Sequence, residues 1–216
     1  MVTLLDKVEH SKNLIKESIA RYPRIAAGVS WGKDSMVLLH LARQVKPDIL
    51  VFTVVTPFKP KETLEFKDKI IKEWDLNIKE YQSKAEPVPD LWKTDPDECC
   101  RIFKVEPTKE AVKDLDAWFA GLRKTEGRTR TDYKEVEVRG NLVKINPILE
   151  WTELDVWRYS ALYNVPQNPM YKMGYRSLGC APCTIIVDEN EPERAGRWNG
   201  TSKCGGECGI HTKILK

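Results

Sequence analysis

The sequence predicts an α/β fold built on a parallel sheet, in the manner of Rossmann-like nucleotide domains. Three features carry this reading. Strand-type and helix-type segments alternate from Arg24 to Gln82, the pattern of right-handed βαβ crossovers. The run Ile49 to Val55 is continuously apolar, as a parallel strand buried on both faces requires. Between the first strand-like run and its helix lies the small-residue turn Ser30-Trp31-Gly32-Lys33-Asp34-Ser35.

The elements follow in order. Leu4, Leu5, Val8, Ile15 and Ile19 recur at helical spacing, with Asp6, Glu9 and Glu17 among the polar positions, so the chain opens on an amphipathic helix. Arg24 to Val29 is a short strand and Met36 to Val45 a helix broken by Pro47. Pro57 and Pro60 mark a loop, Glu62 to Trp74 is helical, and Ile78 to Gln82 is a third strand. After the Pro-rich stretch 86–96, Cys99 to Leu115 is helical, with Pro107 at a break or a helix start. Asp116 to Ala120 is a strand that leads into the basic loop from Gly121 to Arg130. Val136 to Arg139 and Leu142 to Ile145 flank Gly140-Asn141 as a hairpin. Thr152 and Asp155 have the spacing of a capping box for the next helix. From Pro166 onward periodicity gives way to loop, and the stretch from Glu191 to Lys216 must dock on something to be ordered. The expected organisation is an α/β domain over 1–190 and a mobile tail over 191–216.

Composition narrows the class. The 216 residues hold 35 Lys and Arg against 32 Asp and Glu, a net charge of +3 that advertises neither a nucleic-acid nor a membrane surface. No apolar run approaches the ~18 residues of a membrane span, and a cytoplasmic protein is expected. In that compartment the six cysteines point to metal or redox chemistry rather than structural disulfides.

Two constellations bear on chemistry. The strand-turn-helix at 30–35 aims backbone N–H groups and a helix N-terminus at an anion, with Lys33 adding a full charge. An ordinary βα turn containing Gly and Ser is the plainer alternative. Cys99-Cys100 and Cys180-Ala181-Pro182-Cys183 supply four thiols from two distant segments, a ligand set that iron–sulfur clusters and zinc both accept. Adjacent cysteines favour iron–sulfur over zinc, and two buried cysteines beside a redox Cys-x-x-Cys are the alternative.

Several segments resemble one family. Ser30 to Ser35 resembles the SGGKDS loop of N-type ATP pyrophosphatases and their sulfonucleotide-reductase relatives, departing at Trp31. Cys99 to Pro107 resembles the CCRxxKVEP segment of assimilatory adenylyl-sulfate (APS) reductases. Ile145 to Trp157, Gly174 to Thr184, Glu193 to Trp198 and Glu207 to His211 are similar to that family's NPLxxWTxxDVW, GYxSxGCxPCT, ERAGRW and ECGLH motifs. The resemblance implies an adenine-nucleotide α-hydrolase-like domain that reduces APS, or phosphoadenylyl sulfate (PAPS), to sulfite, using a thioredoxin- or glutaredoxin-like dithiol donor. It implies a 4Fe–4S cluster on Cys99, Cys100, Cys180 and Cys183, and Cys208 as the nucleophile. Substrate contacts are expected from Ser30, Gly32, Lys33, Asp34, Ser35, Lys104, Arg123, Arg130, Arg194 and Arg197, and a catalytic role from His211. An ATP pyrophosphatase or sulfurtransferase and a cysteine-metal binding module are the rival classes; homo-oligomerisation is left open.

Two further departures from the family pattern matter. Cys204 stands four residues before Cys208, spaced to act as a resolving thiol or to be incidental. Where the family reads LDTGxxFPET, this chain has Val55, Pro57 and Lys61 in place of the Asp, Gly and Pro. Lys59 and Lys61 there are candidates for a 3′-phosphate or a solvated basic loop.

Overall fold

A computed structural model of the chain describes residues 2–203, 206 and 209–211. Its elements are α1 (Leu4–Arg21), β1 (Ile25–Gly28), α2 (Lys33–Val45), β2 (Leu50–Val54), α3 (Lys61–Glu73), β3 (Ile78–Tyr81), α4 (Leu91–Thr94), α5 (Pro96–Cys100), a π-helical turn (Arg101–Val105), α6 (Glu106–Val112), β4 (Ala117–Ala120), β5 (Val136–Arg139), β6 (Leu142–Ile145) and α7 (Glu153–Leu162). The strands form one six-stranded sheet in the order β3-β2-β1-β4-β6-β5. All neighbours pair in parallel except the β5–β6 hairpin, so the expected parallel α/β architecture is present.

Alternation along the strands divides the core. Ala27, Val51, Phe119 and Ile145 face one layer, shared with Ile15 of α1, Leu38 of α2, Ile70 of α3 and Val156 of α7. Ala26, Phe52, Trp118 and Ala120 face the other, where Ala111 and Val112 of α6 and Ile210 pack. Successive side chains of a strand point to opposite faces, so one strand serves both layers.

Helix ends follow local chemistry. At α7, Thr152 Oγ1 accepts from the Asp155 N–H at 3.2 Å and Asp155 accepts from the Thr152 N–H at 2.8 Å, the reciprocal capping box. Asp155 also takes the Lys7 ammonium at 2.6 Å, which ties α7 to α1. The expected helix start at Pro107 is present, and the helical run ends at Val112 rather than Leu115. The chain passes from α5 through the π turn into α6, whose first turn holds Pro107, where its missing N–H costs no helical bond.

The sheet order reverses between β1 and β4, and the crevice outside their carboxyl ends is where open α/β sheets bind ligands. The turn after β1 lies there, and α2 already begins at Lys33. Gly121, following β4, is the close-approach point: a Cβ there would stand 3.0 Å from the Ser35 backbone. Trp31 does not face the crevice. It sits at φ +71°, is fully buried, and donates its indole N–H to Thr53 Oγ1 at 2.9 Å. A large residue holds a left-handed backbone because the core takes its side chain.

Trp31→Gly relieves a backbone conformation costing about 1–3 kcal/mol but removes packing worth about 3–5 kcal/mol. The variant is therefore expected to unfold at lower urea concentration; a more stable variant would show that the indole contributes no net packing.

Candidate active site

The crevice is a cleft of about 190 Å³. Ser30, Gly32, Lys33, Asp34 and Ser35 line it from the β1–α2 turn, Arg130 from the basic loop, and Arg194, Arg197 and His211 from the C-terminal segment. Lys104 of the π turn and Cys180 also line it. Five cationic side chains besides the buried Lys33 (Lys59, Lys104, Arg130, Arg194 and Arg197) line the cleft against two carboxylates, Asp34 and Glu126. The low net charge of the chain thus hides a local excess of positive charge suited to an anion.

Beneath the cleft lies a buried ionic network. The Lys33 ammonium donates to Glu193 and, at 3.2 Å, to the Arg176 carbonyl. Arg123 donates to Asp34, to both oxygens of Glu193 at 2.7 Å, and to Thr125 Oγ1 at 3.0 Å. Arg123 is fully buried behind the cleft and does not line it; Glu193 was assigned no role from sequence. Burial pushes the Asp34 carboxyl up, but Lys33 and Arg123 outweigh it and hold the group below the usual carboxylate range. Burial alone would weaken the Lys33 ammonium, yet Asp34, Tyr171 and Glu193 hold it above its ordinary value. Glu193 is shifted upward, chiefly by burial. The Tyr171 hydroxyl accepts the Lys33 backbone N–H at 2.9 Å, capping the start of α2.

A second group of side chains adjoins the first. Cys99, Cys100, Cys180 and Cys183 are all buried and line one small cavity with Phe58, Trp92 and Phe103. The end of α5 and the π turn bring the first pair there, and the 3₁₀ turn Ala181–Cys183 brings the second. Burial and the neighbouring thiols push Cys99 up to about 12 and Cys183 up to about 11. Cys180 differs: burial raises it, but Lys104, the Thr56 hydroxyl at 3.3 Å, Lys59 and Arg197 outweigh that and leave it below its usual value.

The ERAGRW segment closes over the cysteines. Trp198 N–H donates to the Cys183 carbonyl at 2.8 Å and Ile185 N–H to the Gly196 carbonyl at 3.0 Å. Gly196 permits this contact, since a Cβ there would stand 2.3 Å from the Ile185 carbonyl oxygen. The Trp198 ring packs with Cys100, Cys180 and Cys183, and Lys104, Arg194, Arg197 and Lys203 lie 4.6–5.9 Å from its centroid. Its buried indole N–H has no acceptor among the described residues. Four convergent thiols and an orphaned N–H fit a group rich in sulfur.

The structure therefore brings together the turn at 30–35, Lys104, Arg130, Arg194, Arg197, His211 and the four cysteines. Cys204 and Cys208 lie outside the described residues. Two described residues near them meet the cleft: Arg194 donates to the Gly206 carbonyl at 3.1 Å, and His211 stacks on Trp118 with centroids 6.1 Å apart. Trp118, Thr56, Tyr171 and Lys59 also belong to the site, and only strand position or a basic loop marked them in the sequence. The side chain of Lys61 is 84% exposed and pairs with Glu65 instead.

Fold and site together define a nucleotide-binding α/β protein whose anion cleft abuts a four-cysteine pocket. The chain belongs to the family of the phosphoadenosine phosphosulfate reductase domain, which matches residues 24–186. An adenosine 5'-phosphosulfate reductase of Staphylococcus epidermidis is 33% identical, over 95% of this chain and 88% of its own length. One of Bacillus cereus is 38% identical over 87% of this chain and 83% of its own. In architecture the chain is similar to a phosphoadenylyl-sulfate reductase from Candida auris in a phosphate complex (TM-score 0.71, 21% identity, 81% of this chain and 90% of that one). It is also similar to an FMN adenylyltransferase of Candida glabrata (TM-score 0.66, 17% identity, 99% and 74%), as expected for an adenine-nucleotide α-hydrolase-like fold. Among the described residues no helix is long and apolar enough to cross a membrane.

Glu193→Ala leaves Lys33 and Arg123 buried against a deleted partner, a change that costs about 3–5 kcal/mol. A markedly lower unfolding midpoint is expected, with Glu193→Gln intermediate because it retains one acceptor. Equal midpoints for Ala and wild type would show that the network carries no stability.

Proposed function

We propose that the protein reduces APS to sulfite and AMP in sulfate assimilation, with a dithiol of the thioredoxin or glutaredoxin type as electron donor. The observation that carries this reading is the shared wall of the two pockets: Cys180 and Lys104 line both the anion cleft and the cysteine cavity. The names of the relatives agree with it. PAPS is the alternative substrate, following the family description and the Candida auris structure.

In this reading the turn at 30–35 and the N-terminus of α2 hold the phosphate, and the cleft cations face the sulfonyl group and its bridging oxygen. The Cys208 thiolate attacks the sulfonyl sulfur. The sulfur–oxygen bond to phosphate breaks, AMP departs with that electron pair, and an S-sulfocysteine remains on the enzyme. A donor thiolate then attacks Cys208 Sγ and expels sulfite. The donor's second thiol resolves the mixed disulfide, so the dithiol is oxidised as sulfur(VI) becomes sulfur(IV). Arg123, behind the cleft, and Asp34, on its wall, act as positioning residues. His211, stacked on Trp118, serves near the leaving nucleotide. Residues 191–216 are the catalytic segment of this scheme, and the reaction belongs in the cytoplasm.

Cys99, Cys100, Cys180 and Cys183 would hold a 4Fe–4S cluster. When bound, it would cross-link the two cysteine segments and place a charged group beside Lys104. The donor set fits: four thiols line the cavity among aromatic side chains, Pro96 and Lys104, with no carboxylate or imidazole among the described lining residues. An ATP pyrophosphatase would give no role to the cysteine pocket that shares a wall with the cleft.

Anaerobically purified protein is expected to contain about four iron and four sulfide per chain and to release sulfite and AMP from APS with dithiol. Cys208→Ser should abolish sulfite release. Pyrophosphate from ATP, or sulfite from neither sulfonucleotide, would overturn the assignment. As a resolving thiol, Cys204 would take the donor's place in the attack on Cys208 Sγ: its thiolate displaces sulfite from Cys208 as an internal disulfide forms, and the donor dithiol then reduces that disulfide. Single-turnover sulfite release without added thiol should be lost in Cys204→Ser; unchanged release assigns the cysteine no part in turnover.

A further inference from the structure

We infer that Lys59 is a further substrate-binding residue, directed at the sulfonyl end of the substrate rather than at its ribose. This rests on the sulfonucleotide reading. The position corresponds to an unspecified residue of the family's LDTGxxFPET pattern.

Its placement follows from how the turn after β2 is held. The Lys59 N–H donates to the Thr56 carbonyl at 3.1 Å, and the Ala181 N–H donates to the Phe58 carbonyl at 2.8 Å. Thr56 Oγ1 lies 3.3 Å from Cys180 Sγ. The turn is thereby fastened to the Cys180–Cys183 segment on one side. On the other, Lys59 Nζ donates to the Ser30 carbonyl at 3.3 Å, which puts the ammonium at the mouth of the phosphate loop. Lys59 therefore spans the gap between the loop that takes phosphate and the thiol pocket that walls the cleft. Lys104 and Arg197 line the same cleft.

Part of the cleft wall is apolar. Gly28, Phe52, Val54, Trp118 and Ile210 line it, surfaces suited to a purine and its sugar. A sulfonyl group extends from phosphate toward charge and away from that surface. In the transition state the bridging oxygen gains negative charge as its bond to sulfur breaks, and an ammonium at the loop mouth opposes that charge. Lys61, two residues on, points to solvent and Glu65, so the pair of lysines does not act as one basic patch.

The test compares Lys59→Met and Lys59→Arg with wild type as the cluster-loaded enzyme. Lys59→Met is expected to lower kcat/KM for APS and for PAPS alike by at least about tenfold, with iron content unchanged. Its Kd for AMP, which lacks the sulfonyl group, should stay within about twofold of wild type, and Lys59→Arg should recover most of the loss. A loss confined to PAPS would make Lys59 a 3′-phosphate reader and overturn the inference. An equal loss of AMP affinity would place it on the leaving nucleotide, and unchanged kinetics would remove it from the site; either result also overturns the inference. Wild-type protein inactive on both sulfonucleotides would overturn the reductase reading itself, a result separable from any effect of the substitution.

Discussion

The structure turns on the ionic contact between Lys33 and Glu193, extended by Arg123 to Asp34. Its members come from the first βα turn, the segment after β4 and the C-terminal segment, elements far apart in the chain. Isolated buried charges cost several kcal/mol each, so none of these groups is tolerable alone. Each has opposite charges at hydrogen-bond distance, and the set becomes affordable only when all three segments are docked. The phosphate loop is thereby shaped by the same contact that seats Arg194 and Arg197.

That arrangement changes what the loop lysine does. In a bare phosphate loop the ammonium faces the ligand. Here it faces a carboxylate, and the anion-facing charge is supplied by Lys104, Arg130, Arg194, Arg197 and Lys59. The cleft keeps the fold's backbone apparatus for phosphate while moving its cationic side chains toward the cysteine pocket. Trp198 joins the two halves: it covers the thiols and lies under four cations. Such a contact is worth about 0.5–2 kcal/mol per cation, depending on desolvation, and it positions charge more than it stabilises the fold.

Much of the architecture was legible because it is set locally. The capping box at Thr152 and Asp155, the Gly140-Asn141 hairpin and the buried strand β2 follow from spacing and residue type. The cysteine pairs were legible as a set because thiols in such spacing have few other uses. The π turn was not: Pro107 signalled a disturbance, but its resolution within a continuing helix depended on packing Phe103 and Val105. Trp31 in a phosphate loop read as a departure, and its place in the core emerged only with Thr53 opposite it.

The sequence by itself determined the strand order of chemistry: a nucleotide loop after the first strand, two cysteine pairs, then an Arg-rich segment. Those depend on short-range geometry and on residue types with few alternative roles. Tertiary structure decided which charges line the cleft. Lys33 and Arg123 are spent on Glu193, Lys59 lines the cleft, and Lys61 faces solvent. Charge carries no periodicity, so two lysines two residues apart look alike in sequence. Only the burial and the distant partners that folding supplies distinguish them.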